Sequence, residues 1–175
     1  MKSSLRKFFL ECFLCAGVAL SINAGSQETN LPPQKQILFI CTGNYYRSRF
    51  AEALFNQKAG EAHLDWRAVS RGLKLFPSQH GISSLAQQEL IKRGVPKELC
   101  QGEPKALTKE DLEKSDYVVL MDEKEHRPMV EKQFPRRDPR KNHYWHIPEA
   151  EVMSPSKAGQ AMSADIDELI RTLTH

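Results

Sequence analysis

At 175 residues with 40 % hydrophobic content, the chain has the size and apolar share of one globular domain with its own core, which excludes a disordered or low-complexity polymer. Its formal charge of +3 rests largely on residues 1–24: without their three bases (Lys2, Arg6, Lys7) and one acid (Glu11) the balance is +1. So nearly neutral a domain lacks the clustered basic surface that reads phosphate backbones, and no nucleic-acid partner is expected.

Residues 1–24 open with basic side chains, continue through an apolar stretch over 13–22, and end in small residues at Ala24 and Gly25. This is the layout of a secretory signal peptide, with residues 25–34 as a linker and residues 35–175 as the working domain. Export, or a periplasmic location, is the expectation, and a cytoplasmic protein with an N-terminal extension the alternative. The apolar stretch is shorter than the ~20 residues of a spanning helix, so no stable membrane anchor is expected.

Residues 36–41, QILFIC, form a continuous apolar run, the mark of a strand buried on both faces. The polar turn TGNYY follows, and from Arg47 the apolar residues Phe50, Ala51, Leu54 and Phe55 recur at helical spacing as far as Gly60. Alternation over 65–73 predicts a second strand, and 81–96 a helix stopped by Gly94 and Pro96. Thr108 with Asp111 three residues on gives the capping-box pattern for a short helix over 107–115. DYVVLMD, 116–122, reads as a third buried strand followed by a helical stretch to Phe134; RRDPRKN is a loop. A fourth strand over 143–147 and a closing helix over 157–173, with Met162, Ile166, Leu169 and Leu173 on one side, complete the chain. Strict alternation of strand and helix predicts an α/β fold, a four-stranded parallel sheet with helices on both faces in a single domain.

In such sheets the ligand site lies beyond the carboxyl ends of the strands, which is where Cys41 stands. The turn from strand to helix directs free backbone N–H groups and the positive end of the helix dipole at one small concavity, a ready anion site. Gly43 and Asn44 are the residues suited to a tight curl. Arg47 supplies a planar fork for a tetrahedral oxyanion, and the same converging field favours a thiolate at Cys41, with Ser48 placed to donate to it.

Four cysteines stand at positions 12, 15, 41 and 100. Beyond the leader only Cys41 and Cys100 remain, too few for a disulfide framework or a zinc site. His143 and His146, three apart in a strand, point to opposite faces and read as surface histidines. No metal and no cofactor is expected.

The stretch CTGNYYRS resembles the phosphate loop of the low-molecular-weight protein tyrosine phosphatases, C-x-G-N-x-C-R-S-P. The similarity extends over nearly all of residues 35–175 through AVSRGL, DYVVLMD and YWHIPE. The resemblance implies a metal-independent phosphomonoester hydrolase, a protein tyrosine phosphatase with a phosphocysteine intermediate, acting on a phosphorylated protein or a small phosphomonoester. By it Cys41 is the nucleophile, Arg47 the phosphate clamp, and Asn44 and Ser48 the residues that shape the loop and support the thiolate. Thr42, Gly43, Tyr45 and Tyr46 complete the substrate-binding loop.

Three departures from that pattern stand out. Tyr46 replaces the second loop cysteine, and Arg49 replaces the proline, which adds positive charge at the rim. Glu149 stands where the family has the aspartate of an Asp-Pro pair, and is the implied general acid, with Glu151 second. Asp138, before Pro139, copies the letters of that pair but precedes the fourth strand and reads as a solvated turn. Asp122 reads as a helix N-cap. Tyr45, Tyr144 and Trp145 are candidate walls for an aromatic ring. Two other readings stay open: a phosphate-binding module without turnover, and an arsenate reductase, for which Cys100 is the only further thiol.

Overall fold

The computed structural model describes residues 34–149 and 152–174, all within one compact unit, Pro32–His175. The leader read at 1–24 and the linker read at 25–34 lie outside the described residues, save for Gln34. Four parallel strands, β1 (Lys35–Cys41), β2 (Trp66–Gly72), β3 (Tyr117–Leu120) and β4 (Asn142–Tyr144), form a sheet in the order β2-β1-β3-β4. Between and after them run α1 (Arg47–Glu61), α2 (Ser84–Lys92), α3 (Lys109–Lys114), α4 (Glu123–Gln133) and α5 (Pro155–Leu173).

β1 has a strand on each side, so both its faces must be covered, and its sequence shows how. Successive side chains of a strand point to opposite faces. Ile37, Phe39 and Cys41 join one core with Phe50, Leu54 and Phe55 of α1 and Met162 and Ile166 of α5. Leu38 and Ile40 join the other, with Leu112 of α3 and Val130 of α4. Cys41 therefore ends the central strand with its side chain on the α1 face.

Local chemistry sets most element ends. Thr108 and Asp111 form the capping box that starts α3. Pro155 occupies the first turn of α5, where its missing N–H costs nothing, and the helix starts two residues earlier than the sequence reading has it. α2 is shorter than expected, beginning only at Ser84 and giving way at Gly94, whose φ of 73° is the left-handed geometry that ends helices. β4 is also shorter than expected. It stops at Tyr144, although the Trp145 and Ile147 amides still donate to Leu120 and Met121 at 2.9 and 2.8 Å. His146 pairs antiparallel with Asp122, where the chain leaves the sheet before Pro148, and Glu149 beyond it meets Arg47 of α1. Among the described residues no helix is long and apolar enough to cross a membrane.

Candidate active site

The loop between β1 and α1 is built inside out. Its carbonyls at Cys41, Thr42 and Tyr45 accept from the amides of Leu73, Lys74 and Ser83, at 3.0, 2.8 and 2.9 Å. These three carbonyls are thereby committed to neighbouring segments of the chain. α1 has no side-chain cap and no acidic residue in its first turn. Its orphan N–H groups stay available to an anion, and the positive end of its dipole goes unneutralised by its own side chains.

Asn44 is the pin of the loop. It adopts φ 52°, a left-handed conformation that Asn tolerates better than most residues. Its side chain is wholly buried. The amide nitrogen donates to Ser48 Oγ at 3.0 Å and to Ser70 Oγ at 2.8 Å, and its oxygen accepts from the Lys105 amide at 2.7 Å. Ser48 Oγ then lies 3.0 Å from Cys41 Sγ. With Asn44 donating to it, the Ser48 hydroxyl is free to give its own proton to the sulfur.

The sequence reading assigns the tight curl to Gly43 and Asn44 together. Only Asn44 has positive φ. Gly43 has close side-chain neighbours instead: a Cβ there would come within 2.7 Å of Gln79 Oε1, the movable end of a side chain that would have to shift, and 3.4 Å of the Phe76 ring.

Arg47 is 2 % exposed and is held from three directions. Nη1 donates to Glu125 Oε2 at 2.7 Å and to the Ile147 carbonyl at 2.9 Å. Nη2 donates to Glu125 Oε1 at 3.1 Å and also to Glu149 Oε1. Glu125 accepts from the Thr42 hydroxyl as well. His126, fully buried, accepts the Asp122 amide on Nδ1 at 2.9 Å, which leaves its ring proton on Nε2, 3.3 Å from Thr42 Oγ1. Burial disfavours the Glu125 charge, but hydrogen bonds from His126, Arg47 and Thr42 and the attraction of Arg47 outweigh it and hold the carboxyl well below the usual carboxylate range.

The structure thus brings Cys41, Thr42, Gly43, Asn44, Arg47, Ser48 and Glu149 to one place. Tyr45 is half-buried on the loop. Tyr46 belongs elsewhere: its hydroxyl donates to the Pro155 carbonyl at 3.0 Å and the ring packs with the α1 core. Burial, reinforced by the Glu89 charge, pushes that hydroxyl up to about 12. Tyr144 and Trp145 do not wall the site: Trp145 packs on Phe39 at 5.5 Å and Tyr144 lies under the Arg127 guanidinium at 4.3 Å. Arg49 adds no charge at the rim; it is 6 % exposed and donates to the carbonyls of Gln101, Gly102 and Glu103. Asp122 caps α4 by accepting the Glu125 amide, and Asp138 accepts from Arg140 in an exposed turn. Cys100 is buried beside the Pro96 carbonyl, and burial pushes its thiol up. Glu151 lies outside the described residues.

Glu125 and Ser70 are the site residues that the sequence reading does not name. A signal for Glu125 exists: Asp122 followed by Glu125 has the spacing of a capping box at the end of β3. In a full box the acid at the third helical position would reach back to the cap's own amide. Here His126 takes that amide, which releases the Glu125 carboxylate to the site.

A sequence profile described as low molecular weight phosphotyrosine protein phosphatase matches residues 36–173. The chain belongs to that family. A low molecular weight phosphotyrosine protein phosphatase of Homo sapiens is 30 % identical over 91 residues, 51 % of this chain and 56 % of that protein. A protein-arginine-phosphatase of Bacillus subtilis is 31 % identical over 104 residues, 57 % of this chain and 63 % of that protein. The matched region thus spans little more than half the length of these curated relatives. Among solved structures, a low molecular weight protein tyrosine phosphatase from T. tengcongensis superposes with a TM-score of 0.70 at 30 % identity, covering 79 % of this chain and 99 % of that one. The four-stranded parallel sheet expected from the sequence is thus the family's fold.

Proposed function

We propose that this domain is a protein tyrosine phosphatase that works through a phosphocysteine. One observation carries the reading: Cys41 Sγ, supported by Ser48 at 3.0 Å, stands before the uncapped N-terminus of α1, whose buried Arg47 already holds two carboxylates. Such a pocket accepts an oxyanion, and the sulfur stands at its end.

The chemistry follows from the placement. The Cys41 thiolate attacks phosphorus while the ester P–O bond breaks. Glu149, protonated, gives its proton to the departing oxygen. The ionised Glu149 then takes a proton from water as that water attacks the phosphocysteine; the S–P bond breaks, and inorganic phosphate and the thiolate are released. Throughout, Arg47 and the loop amides bear the charge on the three non-reacting oxygens.

Phosphotyrosine on a protein is the proposed substrate class. The names of the relatives support phosphoprotein substrates, phosphotyrosine in most cases and phosphoarginine in one. The Phe76 ring beside Gly43 offers an aromatic substrate ring a lining, and Tyr45, half-buried on the loop, is a further candidate. Turnover of p-nitrophenyl phosphate at mildly acidic pH that vanishes in C41S supports the reading, and a phosphorus-31 signal of an S-bound phosphate on rapid quenching identifies the intermediate. Tight phosphate binding without turnover would instead make the domain a binding module. Export through residues 1–24 belongs to the same proposal: a mature N-terminus near residue 25 in mass spectra of the native protein supports it, and an intact Met1 refutes it in favour of a cytoplasmic protein.

A further inference from the structure

Glu125 lies outside the loop motif, yet it sets how the clamp is held. Its two oxygens face Nη1 and Nη2 of Arg47 at 2.7 and 3.1 Å, so one of the two forks of the guanidinium is closed by a carboxylate. The remaining Nη1 proton goes to the Ile147 carbonyl at 2.9 Å. A planar group tied at these points cannot rotate. Its second fork, formed by Nε and Nη2, is the one Glu149 touches, and it is the one left for an incoming anion.

The carboxylate is itself anchored. Asp122 caps the helix that bears it by accepting the Glu125 amide at 2.9 Å. Thr42, next to the nucleophile, donates to it, and the Nε2 proton of the buried His126 closes the chain. Glu125 is therefore linked both to the clamp and to the residue that follows Cys41.

We propose that Glu125 is a positioning residue that fixes the plane of the Arg47 guanidinium for phosphoryl transfer while its negative charge weakens the grip on a free oxyanion. The proposal rests on the phosphatase reading of the loop. Phosphoryl transfer places charge on three equatorial oxygens between attacking and leaving atoms, and the protein contributes mainly position and field. A loose guanidinium follows whichever oxygens a bound anion offers and stabilises ground and transition states alike. A guanidinium fixed for the equatorial plane favours the transition state, the difference that raises kcat. The cost falls on ground-state affinity, because a carboxylate behind the clamp cancels part of its field.

Two substitutions separate the two halves. E125Q keeps the size but removes the charge and faces an amide N–H to a guanidinium N–H, so the fork is lost. E125D keeps the charge but falls short of the fork. In both, kcat and KM for p-nitrophenyl phosphate and the affinity for inorganic phosphate by calorimetry are compared with the wild type at one pH. The expected result is a kcat lower by about ten-fold or more in both variants, with phosphate bound more tightly in E125Q and no more tightly in E125D. A kcat within about two-fold of the wild type in E125Q overturns the positioning role. Lower kcat together with weaker phosphate binding in E125Q also overturns the proposal, since that is the signature of a loosened site. Should the wild type fail to turn over, the phosphatase reading falls, and the calorimetry still decides whether Glu125 offsets the clamp: tighter binding in E125Q sustains it, unchanged or weaker binding ends it.

Discussion

The Asn44 side chain donates to Ser70 Oγ at 2.8 Å, tying the loop after Cys41 to the neighbouring strand. Ser70 in turn donates to Glu52 of α1 at 2.5 Å, so loop, strand and helix share one buried chain of hydrogen bonds. N44A removes two donors and the acceptor of the Lys105 amide, and it leaves alanine at φ 52°. Orphaned buried partners cost about 1–3 kcal/mol, and alanine is a poor occupant of left-handed space. The expected result in urea denaturation is a loss of ~2 kcal/mol or more, with kcat also reduced because Ser48 loses its aim. S70A keeps the Lys105 and Ser48 bonds and should lose roughly half as much stability. Equal losses in the two variants would count against Asn44 as the pin.

Arg49 replaces the proline of the family pattern and turns away from the ligand side of the loop. Its Nη2 donates to Gln101 and Gly102 at 2.6 and 3.1 Å and its Nη1 to Glu103 at 3.3 Å. One planar fork thus holds a segment whose Gly102 has φ 99° and which runs on to the Lys105 amide that Asn44 accepts. R49A should lower the thermal midpoint by several degrees, reflecting ~1–3 kcal/mol for the lost charge-assisted hydrogen bonds that hold this segment to α1. R49K should recover little, because an ammonium cannot reproduce a fork. Phosphate affinity should stay close to that of the wild type; a large loss there would restore Arg49 to the anion site.

What the sequence discloses and what it hides divide along range in the chain. The strand-turn-helix junction at Cys41–Arg47 is local chemistry, and so is the Thr108–Asp111 box; both are legible because the residues that decide them are within a few positions of each other. Buried runs at 36–41 and 116–122 betray central strands because nothing else keeps consecutive residues dry. The partners of the clamp are different. Glu125 meets Arg47 from 78 residues away, and the Ile147 carbonyl from 100. No local pattern announces such meetings. The neighbours of Gly43, Gln79 and Phe76, come from a distant segment, and the direction of Arg49 from three carbonyls over 50 residues on. The early end of β4 follows from its bridge back to Asp122, again a tertiary decision.

The depressed Glu125 carboxyl makes stability depend on pH in a stated direction. A carboxyl whose folded value lies below its unfolded one, about 4.3, stabilises the fold at pH above that unfolded value. The contribution fades as pH falls below it toward the folded value. The wild type should therefore be more stable than E125Q at pH 6–7. The gap should narrow as the solution is acidified below about pH 4. Thermal melts of both proteins across that range test this. A gap that stays constant with pH would mean that the carboxylate charge contributes nothing to folding, whatever it does for the clamp.

Glu149 rests on the same guanidinium that the proposed reaction needs for its substrate. In the proposed reaction a phosphate arriving at the Nε–Nη2 fork displaces this carboxylate from Nη2 and leaves it as the candidate proton donor to the leaving oxygen. E149Q removes the proton donor and the competing charge together. Turnover should fall by ~10²–10⁴, the range for a positioned general acid. The loss should be greater for phenyl phosphate than for p-nitrophenyl phosphate, because p-nitrophenolate leaves readily without a proton. Inorganic phosphate should bind more tightly than to the wild type, since nothing charged contests the fork. E151Q is the control for the neighbouring carboxyl. Should E151Q alone produce the leaving-group dependence, the general acid is Glu151, and Glu149 serves only as a carboxylate that yields its seat on Arg47.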